Sequence, residues 1–193
     1  LCTKLAEMGH EPIVYCESDR NYEEIVNGFK VIHWTSPKSV YVCKIFLGLR
    51  STLNALTKQK GVKVFHYNAW PPSLWSWIPR LVGRKSILMG HGLEWKRTKY
   101  SSRKQKIMRF MERLTAKTNT NLVMVSQEQT NFFAIEYNKQ CITIPTAVNL
   151  PGNFDNTDIL SKYELQNNGY YLYLGRLVQD KNPDYLIKAF IKS

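Results

Sequence analysis

The sequence predicts an α/β domain built on a parallel sheet, and three observations favour this class. Short apolar segments alternate with longer segments in which apolar residues recur at helical spacing. Most of the short segments lack polar alternation, as expected of parallel strands that are buried on both faces. The 193 residues, 44% hydrophobic and 22% charged, have the composition of a globular protein. The alternation therefore indicates a doubly wound sheet with right-handed crossovers.

Seven segments are predicted as strands and five as helices, in addition to the end of a helix at the start of the chain. Residues 1–9 are typical of the second half of an amphipathic helix that a glycine ends. Strands are predicted at residues 11–16, 29–35, 62–69, 85–91, 121–126, 141–145 and 170–177. Helices are predicted at residues 40–59, 73–82, 101–118, 128–138 and 182–193.

A domain boundary is predicted where this alternation stops. Residues 149–169 contain two glycines, one proline and five asparagines, a composition that favours turns. We predict one domain over residues 1–150, and a linker with the beginning of a second domain over residues 151–193. Because the chain starts inside a helix and its last strand and helix lack a covering element, we expect an internal fragment of a longer protein.

Positive charge is the most unusual feature of the composition. Twenty-seven Lys and Arg against 15 Asp and Glu give a net charge of +12, so we expect an anionic partner or substrate. In the predicted helix 101–118, Ile107, Phe110, Met111 and Leu114 recur at helical spacing, most simply as core residues. The cations around them either face solvent or contact anionic lipid headgroups. No nucleic-acid-binding motif is recognisable, so nucleic acid is not an expected partner.

The cysteines and the hydropathy pattern indicate the cellular compartment in which the protein is expected. Cys2, Cys16, Cys43 and Cys141 are far apart and mostly lie in apolar runs, as expected of reduced thiols. No signal peptide or membrane-spanning run is present. We expect a cytoplasmic protein, with peripheral contact to the inner face of the cytoplasmic membrane as an open alternative.

Polar residues at or near the ends of predicted strands are the candidate site residues, because ligands bind at the carboxyl ends of parallel strands. His91 is the first catalytic candidate, since Gly90 and Gly92 permit close approach of the backbone to a ligand. Glu94 is a second candidate, as an acceptor of hydrogen bonds. A capped turn with a solvent-facing histidine is the alternative. The other such residues are His33, Thr35, His66, Asn68, Ser126 and Gln127.

A second candidate site combines Gly175, Arg176 and Lys181 with a helix that begins near Pro183. Two cations beside a helix N-terminus suit a diphosphate, because helix amides and the guanidinium both favour an anion. Two solvated surface cations are the alternative. Glu17 and Asp19 form only a weak match to a metal site, and we expect neither a metal nor a cofactor.

Three segments, GHGLEWKRTKY, IPTAVN and YYLYLGRLVQDKNPDYLIKAF, resemble the retaining nucleotide-sugar glycosyltransferases of family 4, in the rhamnosyltransferase-like branch. The resemblance implies a GT-B architecture, here a Rossmann-like domain without its first strand and the start of a second Rossmann-like domain. It implies that Arg176 and Lys181 hold the donor diphosphate, that His91 lies beside the transferred sugar, and that no metal is essential.

The expected function of the full-length protein is therefore transfer of a sugar from a nucleotide-diphosphate sugar to a glycan or lipid-linked acceptor. The fragment itself is expected to be inactive. Two alternatives stay open: a GT-B nucleotide-sugar epimerase, and a non-catalytic basic module that binds membranes or nucleic acid.

Overall fold

The computed structural model describes residues 1–96, 100–118, 121–148, 158–178 and 181–192. The chain divides into two compact units, the first of residues 1–96 and 102–145 and the second of residues 97–101 and 146–193. The predicted domain boundary, between residues 150 and 151, lies outside the described residues.

The first sheet follows helix α1 (Cys2–Glu7) and has three strands, β1 (Ile13–Ser18), β2 (Tyr22–Val26) and β3 (Phe29–Thr35). Their order is β1-β3-β2, with β1 parallel and β2 antiparallel to β3. The sequence analysis missed β2. Asn27 and Gly28, both with positive φ, connect β2 to β3 in the two-residue loop that right-twisted hairpins favour.

The second sheet contains β4 (Val64–Asn68), β5 (Lys85–Gly90), β6 (Leu122–Met124) and β7 (Ile142–Thr143), all parallel and in sequence order. Helix α2 (Val40–Thr57) precedes β4, and α3 (Trp70–Ser73) and α4 (Ile78–Leu81) lie between β4 and β5. Helices α5 (Ser102–Thr118) and α6 (Gln127–Tyr137) form the next two crossovers. This alternation confirms the predicted α/β class.

The core of the first unit lies on one face of the second sheet. Phe65, Leu88 and Met124 of the strands pack there with Ala116 of α5 and Phe133 of α6. Along β4 burial alternates, and Val64 on the opposite face is half exposed. The expectation that the strands are buried on both faces is therefore wrong for the described residues of this sheet.

One predicted helix is replaced by two short ones. Residues 73–82 were expected to form a single helix, but α3 ends at Ser73 and α4 begins at Ile78. Pro79 lacks the N–H that a continuous helix would pair with the carbonyl of Trp75, which instead accepts from the N–H of Ile78 at 3.0 Å.

Helix α5 buries a different face from the one that its apolar spacing indicated. Glu112, Thr115 and Ala116 are buried, whereas Ile107 is 60% and Phe110 is 65% exposed. The interpretation of this apolar stripe as core is therefore wrong. Ala116 packs in the core cluster. Its short side chain suits this position, because the interior between a helix and a sheet is closely packed.

The second unit contains α7 (Asp158–Lys162) and α8 (Pro183–Lys192). The strand predicted at residues 170–177 is wrong, because these residues have no regular secondary structure and most of their side chains are exposed. A strand needs partners for its backbone groups, and no described residue of this unit lies in a strand. No helix in the described part of the chain is long and apolar enough to cross a bilayer.

Candidate active site at the carboxyl edge of the second sheet

The carboxyl edge of the second sheet brings together two polar residues that the sequence analysis selected. Asn68 is the last residue of β4, and His91 directly follows β5. His91 Nε2 is hydrogen-bonded to Asn68 Oδ1. Because an amide oxygen only accepts, Nε2 carries the ring proton, and Nδ1 of the neutral ring is left as an acceptor. The hydrogen bond thus fixes the orientation of the imidazole.

A second imidazole lies near this pair. His66 points to the same side of β4 as Asn68, because side chains two residues apart share a face. Desolvation lowers the pKa of His66, and the positive charge of a protonated His91 lowers it further. The lowered pKa favours the neutral form of His66, which can both donate and accept hydrogen bonds with sugar hydroxyls.

Trp70 fixes the loop that carries His91. A Cβ added to Gly90 would lie 2.8 Å from Cζ2 of Trp70 and 2.9 Å from Sδ of Met124, so glycine is needed there for core packing. The indole Nε1 of Trp70 donates a hydrogen bond of 2.8 Å to the carbonyl of Gly92. Core packing therefore explains the glycine at position 90, and approach of a ligand there stays a prediction, whereas Gly92 has open space where a Cβ would stand.

Glu112 is a site residue that the sequence analysis missed. Its Oε1 accepts hydrogen bonds from Trp95 Nε1 at 3.1 Å and from the Tyr137 hydroxyl at 2.8 Å, while Oε2 has no partner among the described residues. Glu112 thereby joins α5 to α6 and to the 3-10 turn Glu94–Lys96. Burial raises the pKa of this carboxyl group, and the two hydrogen bonds oppose that effect only in part.

A signal for Glu112 was present in the sequence. It is the single acidic residue in a helix with six Lys and Arg, and Thr115 and Ala116 follow it on the same helical face. Glu94, the predicted second candidate, begins the 3-10 turn, and its side chain lies outside the described part of the structure.

The other polar residues near strand ends support local structure. His33 stacks on Tyr22 with ring centroids 4.1 Å apart, and its Nε2 lies 2.8 Å from Oε1 of Glu24. Ser126 caps α6 by accepting a hydrogen bond from the N–H of Gln129 at 3.3 Å. The predicted alternative, that strand-end polar residues serve as caps or loop residues, holds for Ser126.

The second candidate site lies in the second unit and is described by itself. Gly175, Arg176 and Lys181 are all exposed, and Lys181 precedes the first residue of α8 by two positions. The carbonyl of Arg176 accepts a hydrogen bond of 3.1 Å from the Tyr173 hydroxyl. Residues 179 and 180, between the two cations, lie outside the described residues, and diphosphate binding stays a prediction.

Metal-ligating side chains do not cluster in the described part of the chain: no three His, Cys, Asp or Glu side chains come together there. Glu17, half of the weak metal-site match, instead accepts a hydrogen bond of 2.8 Å from the Ser36 hydroxyl. Metal-independent chemistry stays a prediction.

A parallel sheet with polar residues at its carboxyl edge is the arrangement of Rossmann-like enzyme domains. The family described as Glycosyltransferase Family 4 matches residues 1–150, which include both sheets and the loop of His91. The chain therefore belongs to glycosyltransferase family 4, of GT-B type, and its domain serves sugar transfer between a donor and an acceptor. No curated protein matches the sequence.

Proposed function

We propose that the full-length protein is a retaining glycosyltransferase that moves a sugar from a nucleotide-diphosphate donor to a glycan or lipid-linked acceptor. The observation that carries this proposal is the family match over a parallel sheet whose carboxyl edge presents His66, Asn68 and His91. As in the sequence-based prediction, the enzyme belongs to the rhamnosyltransferase-like branch and needs no metal.

His91 is the proposed sugar contact of the first unit. Its Nε2 is engaged by Asn68, so Nδ1 of the neutral ring accepts a hydrogen bond from a hydroxyl of the transferred sugar. Trp70 holds the backbone on the carboxyl side of His91 through the carbonyl of Gly92, which limits the entropy lost when the sugar binds. Glu94 is the proposed contact to the acceptor.

Gly175, Arg176 and Lys181 are the proposed diphosphate site. The leaving nucleoside diphosphate gains negative charge as the glycosidic bond breaks, and without a metal that charge must be met by cations and helix ends. Arg176 offers directional donors, Lys181 a point charge, and the N-terminus of α8 its amide groups. Gly175 is the proposed point where the backbone approaches the phosphates, on the side away from the Tyr173 side chain, whose hydroxyl oxygen lies 3.2 Å from where a Cβ would stand.

Contact with an anionic membrane is proposed for the outer face of α5. This outer face consists of the exposed Ile107, Phe110 and Leu114 together with the cations of the helix, which are all exposed. The one acidic residue of α5, Glu112, is buried, whereas Glu136 of α6 pairs with Arg109 at 2.6 Å and offsets one of these charges. Apolar side chains surrounded by cations are typical of helices that lie in the interface of an anionic bilayer.

Nucleotide binding tests the proposed diphosphate site. In the full-length protein, Arg176→Ala and Lys181→Ala are each expected to weaken binding of the preferred probe among UDP, GDP and dTDP by about tenfold or more, the worth of a charge-assisted hydrogen bond. Calorimetric titration measures the affinity. Lys188→Ala is the matched control, since Lys188 is an exposed cation of α8 that pairs with Asp184 at 3.4 Å. Equal affinity in all three variants and the unchanged protein would contradict the diphosphate site.

The products distinguish the proposed activity from its alternatives. A retaining transferase yields a glycosylated acceptor with the anomeric configuration of the donor, whereas an epimerase yields an altered sugar from the donor alone. Salt-sensitive binding to vesicles or nucleic acid with no affinity for nucleotide sugars would instead identify a non-catalytic module.

A further inference from the structure

The first unit contains an apolar groove whose lining does not include His66, Asn68 or His91. The groove has a volume of about 260 Å³ between α2, α3, the 3-10 turn Glu94–Lys96 and α5. This volume is below the roughly 300–1,000 Å³ of pockets that enclose a drug-sized ligand, so the groove suits a segment of a larger molecule. Its apolar walls include Val42, Ile45, Trp70, Trp95, Met108 and Met111.

The inner part of the groove presents almost no polar groups. Trp70 and Trp95 line it, but both indole N–H groups donate to protein acceptors, the carbonyl of Gly92 and the carboxyl group of Glu112. Glu112 also lines the groove, is 1% exposed, and has one carboxyl oxygen without a described partner. Burial raises the pKa of this carboxyl group, and its Oε1 is already engaged by Trp95 and Tyr137, so the apolar side chains dominate the lining. The flexible side chains of Met108 and Met111 adapt to a chain of variable shape.

The rim of the groove differs from its interior. Val42 is 54% and Ile107 is 60% exposed, and the exposed Lys104 lines the groove beside them. Ile107 also belongs to the outer face of α5, so the groove is continuous with the surface proposed to contact an anionic membrane. A ligand that fits both parts has an apolar chain and a negatively charged head.

We propose that this groove binds the aliphatic chain of a lipid-phosphate acceptor, with the phosphate at the Lys104 rim. The proposal rests on the proposed function in taking the acceptor as lipid-linked. Trp70 links the groove to the loop of His91, but Val42 on α2 has no part in that link, so a change at Val42 tests recognition of the aliphatic chain separately from sugar transfer.

Alkyl phosphates test the groove as monomers in solution. Each methylene that leaves water is expected to tighten binding about fourfold, so dodecyl phosphate should bind roughly tenfold or more tightly than decyl phosphate. Inorganic phosphate should bind far more weakly than either. Because Trp70 and Trp95 line the groove, a dodecyl phosphate with bromine at the end of its chain should also quench tryptophan fluorescence.

Val42→Tyr narrows the groove at an exposed position, and Leu53→Tyr is its matched control. Leu53 is 47% exposed, lies on the same helix α2, and does not line the groove. Val42→Tyr is expected to weaken dodecyl phosphate binding about tenfold and to remove the quenching, whereas Leu53→Tyr changes neither. Circular dichroism and thermal unfolding verify that both variants fold. Equal binding by the two variants, or equal affinity for decyl, dodecyl and inorganic phosphate, would overturn the groove assignment.

Transfer assays separate failure of the groove from failure of the proposed function. The proposal predicts that Val42→Tyr raises KM for a lipid-phosphate acceptor while leaving the affinity for nucleotide diphosphate unchanged. Transfer with an unchanged KM would leave the function standing and overturn the groove assignment. The protein could instead bind alkyl phosphates according to chain length but neither bind nucleotide sugars nor transfer sugar. That result would contradict the proposed function and show that the groove does not bind an acceptor.

Discussion

Glu112 is a buried acid in a helix whose six cations are all exposed, and its environment makes the stability of the protein depend on pH. Burial raises its pKa above the ordinary value of 4.5. As pH rises past that value, the unfolded chain loses the proton that the folded state keeps. The unfolded state then binds fewer protons, so the free energy of unfolding falls until the pH passes the folded-state pKa.

Glu112→Gln is expected to remove this pH-dependent loss of stability, because glutamine does not titrate. Its amide oxygen can still accept hydrogen bonds from Trp95 and Tyr137. The Tm of the variant relative to the unchanged protein should therefore rise as pH increases above the ordinary carboxyl pKa of 4.5. Each unit of pKa elevation corresponds to about 1.4 kcal/mol, and each kcal/mol to about 2–4 °C at this chain length. Thermal unfolding at several pH values measures the difference.

Glu7→Gln is the control for this pH dependence, since Glu7 is an exposed residue that pairs with the exposed Lys4 at 2.6 Å. Its Tm difference from the unchanged protein should vary little over the same range, because exposed ion pairs contribute little to stability. A Glu112→Gln difference that is flat with pH would show that the carboxyl group is ionised in the folded state.

His91 and Asn68 could be selected from sequence because strand ends in a parallel sheet meet at one edge, whichever side chains pack beneath it. Glu112 could be noticed as the single acid of a basic helix, but its hydrogen-bond partners could not be predicted. Its role depends on Trp95 and Tyr137, which lie 17 and 25 residues away along the chain, and no local pattern encodes those distances.

Among the elements, the β2–β3 hairpin depends on its turn. Gly28 has φ of 81°, a conformation that costs other residues about 1–2 kcal/mol. Gly28→Ala is therefore expected to lower Tm by about 2–8 °C, measured by thermal unfolding. An added Cβ would meet only Ala6 Cβ at 3.8 Å, so backbone strain and not crowding is the cause.

Gly92→Ala is the matched control for Gly28→Ala. Gly92 does not have a positive φ, and an added Cβ there would have no atom within 4 Å. Its Tm should stay close to that of the unchanged protein. If both variants lowered Tm equally, the turn conformation of Gly28 would not be the reason.

Elements defined by local pattern were predicted more accurately than those that depend on partners. Helices α2, α5 and α6 begin and end within about two residues of their predicted bounds, since helical hydrogen bonds close within the segment. The strand at residues 170–177 has the right composition but no strand partner among the described residues of its unit. The hairpin strand β2 was missed although Asn27 and Gly28 are its standard turn signal.

For the whole molecule, the net charge of +12 and the outer face of α5 together predict how the proposed membrane contact should respond to salt. Each Lys or Arg near an anionic surface contributes about 1 kcal/mol, and this attraction is screened as salt rises. The hydrophobic free energy from burying Phe110 and its apolar neighbours in the bilayer is not screened by salt in this way. The two contributions can therefore be separated by ionic strength.

Vesicle sedimentation should reveal both contributions. The vesicles contain phosphatidylglycerol and phosphatidylcholine. The fraction of protein bound to them should fall as salt rises from about 0.1 M to about 1 M, because the Debye length shortens from about 10 to about 3 Å. A residual bound fraction should remain at about 1 M salt. Phe110→Ser should abolish that fraction, whereas Ile135→Ser, at an exposed apolar position of α6, should retain it. Equal losses in the two variants, or equal binding to vesicles of phosphatidylcholine alone, would mean that the outer face of α5 is not the membrane contact.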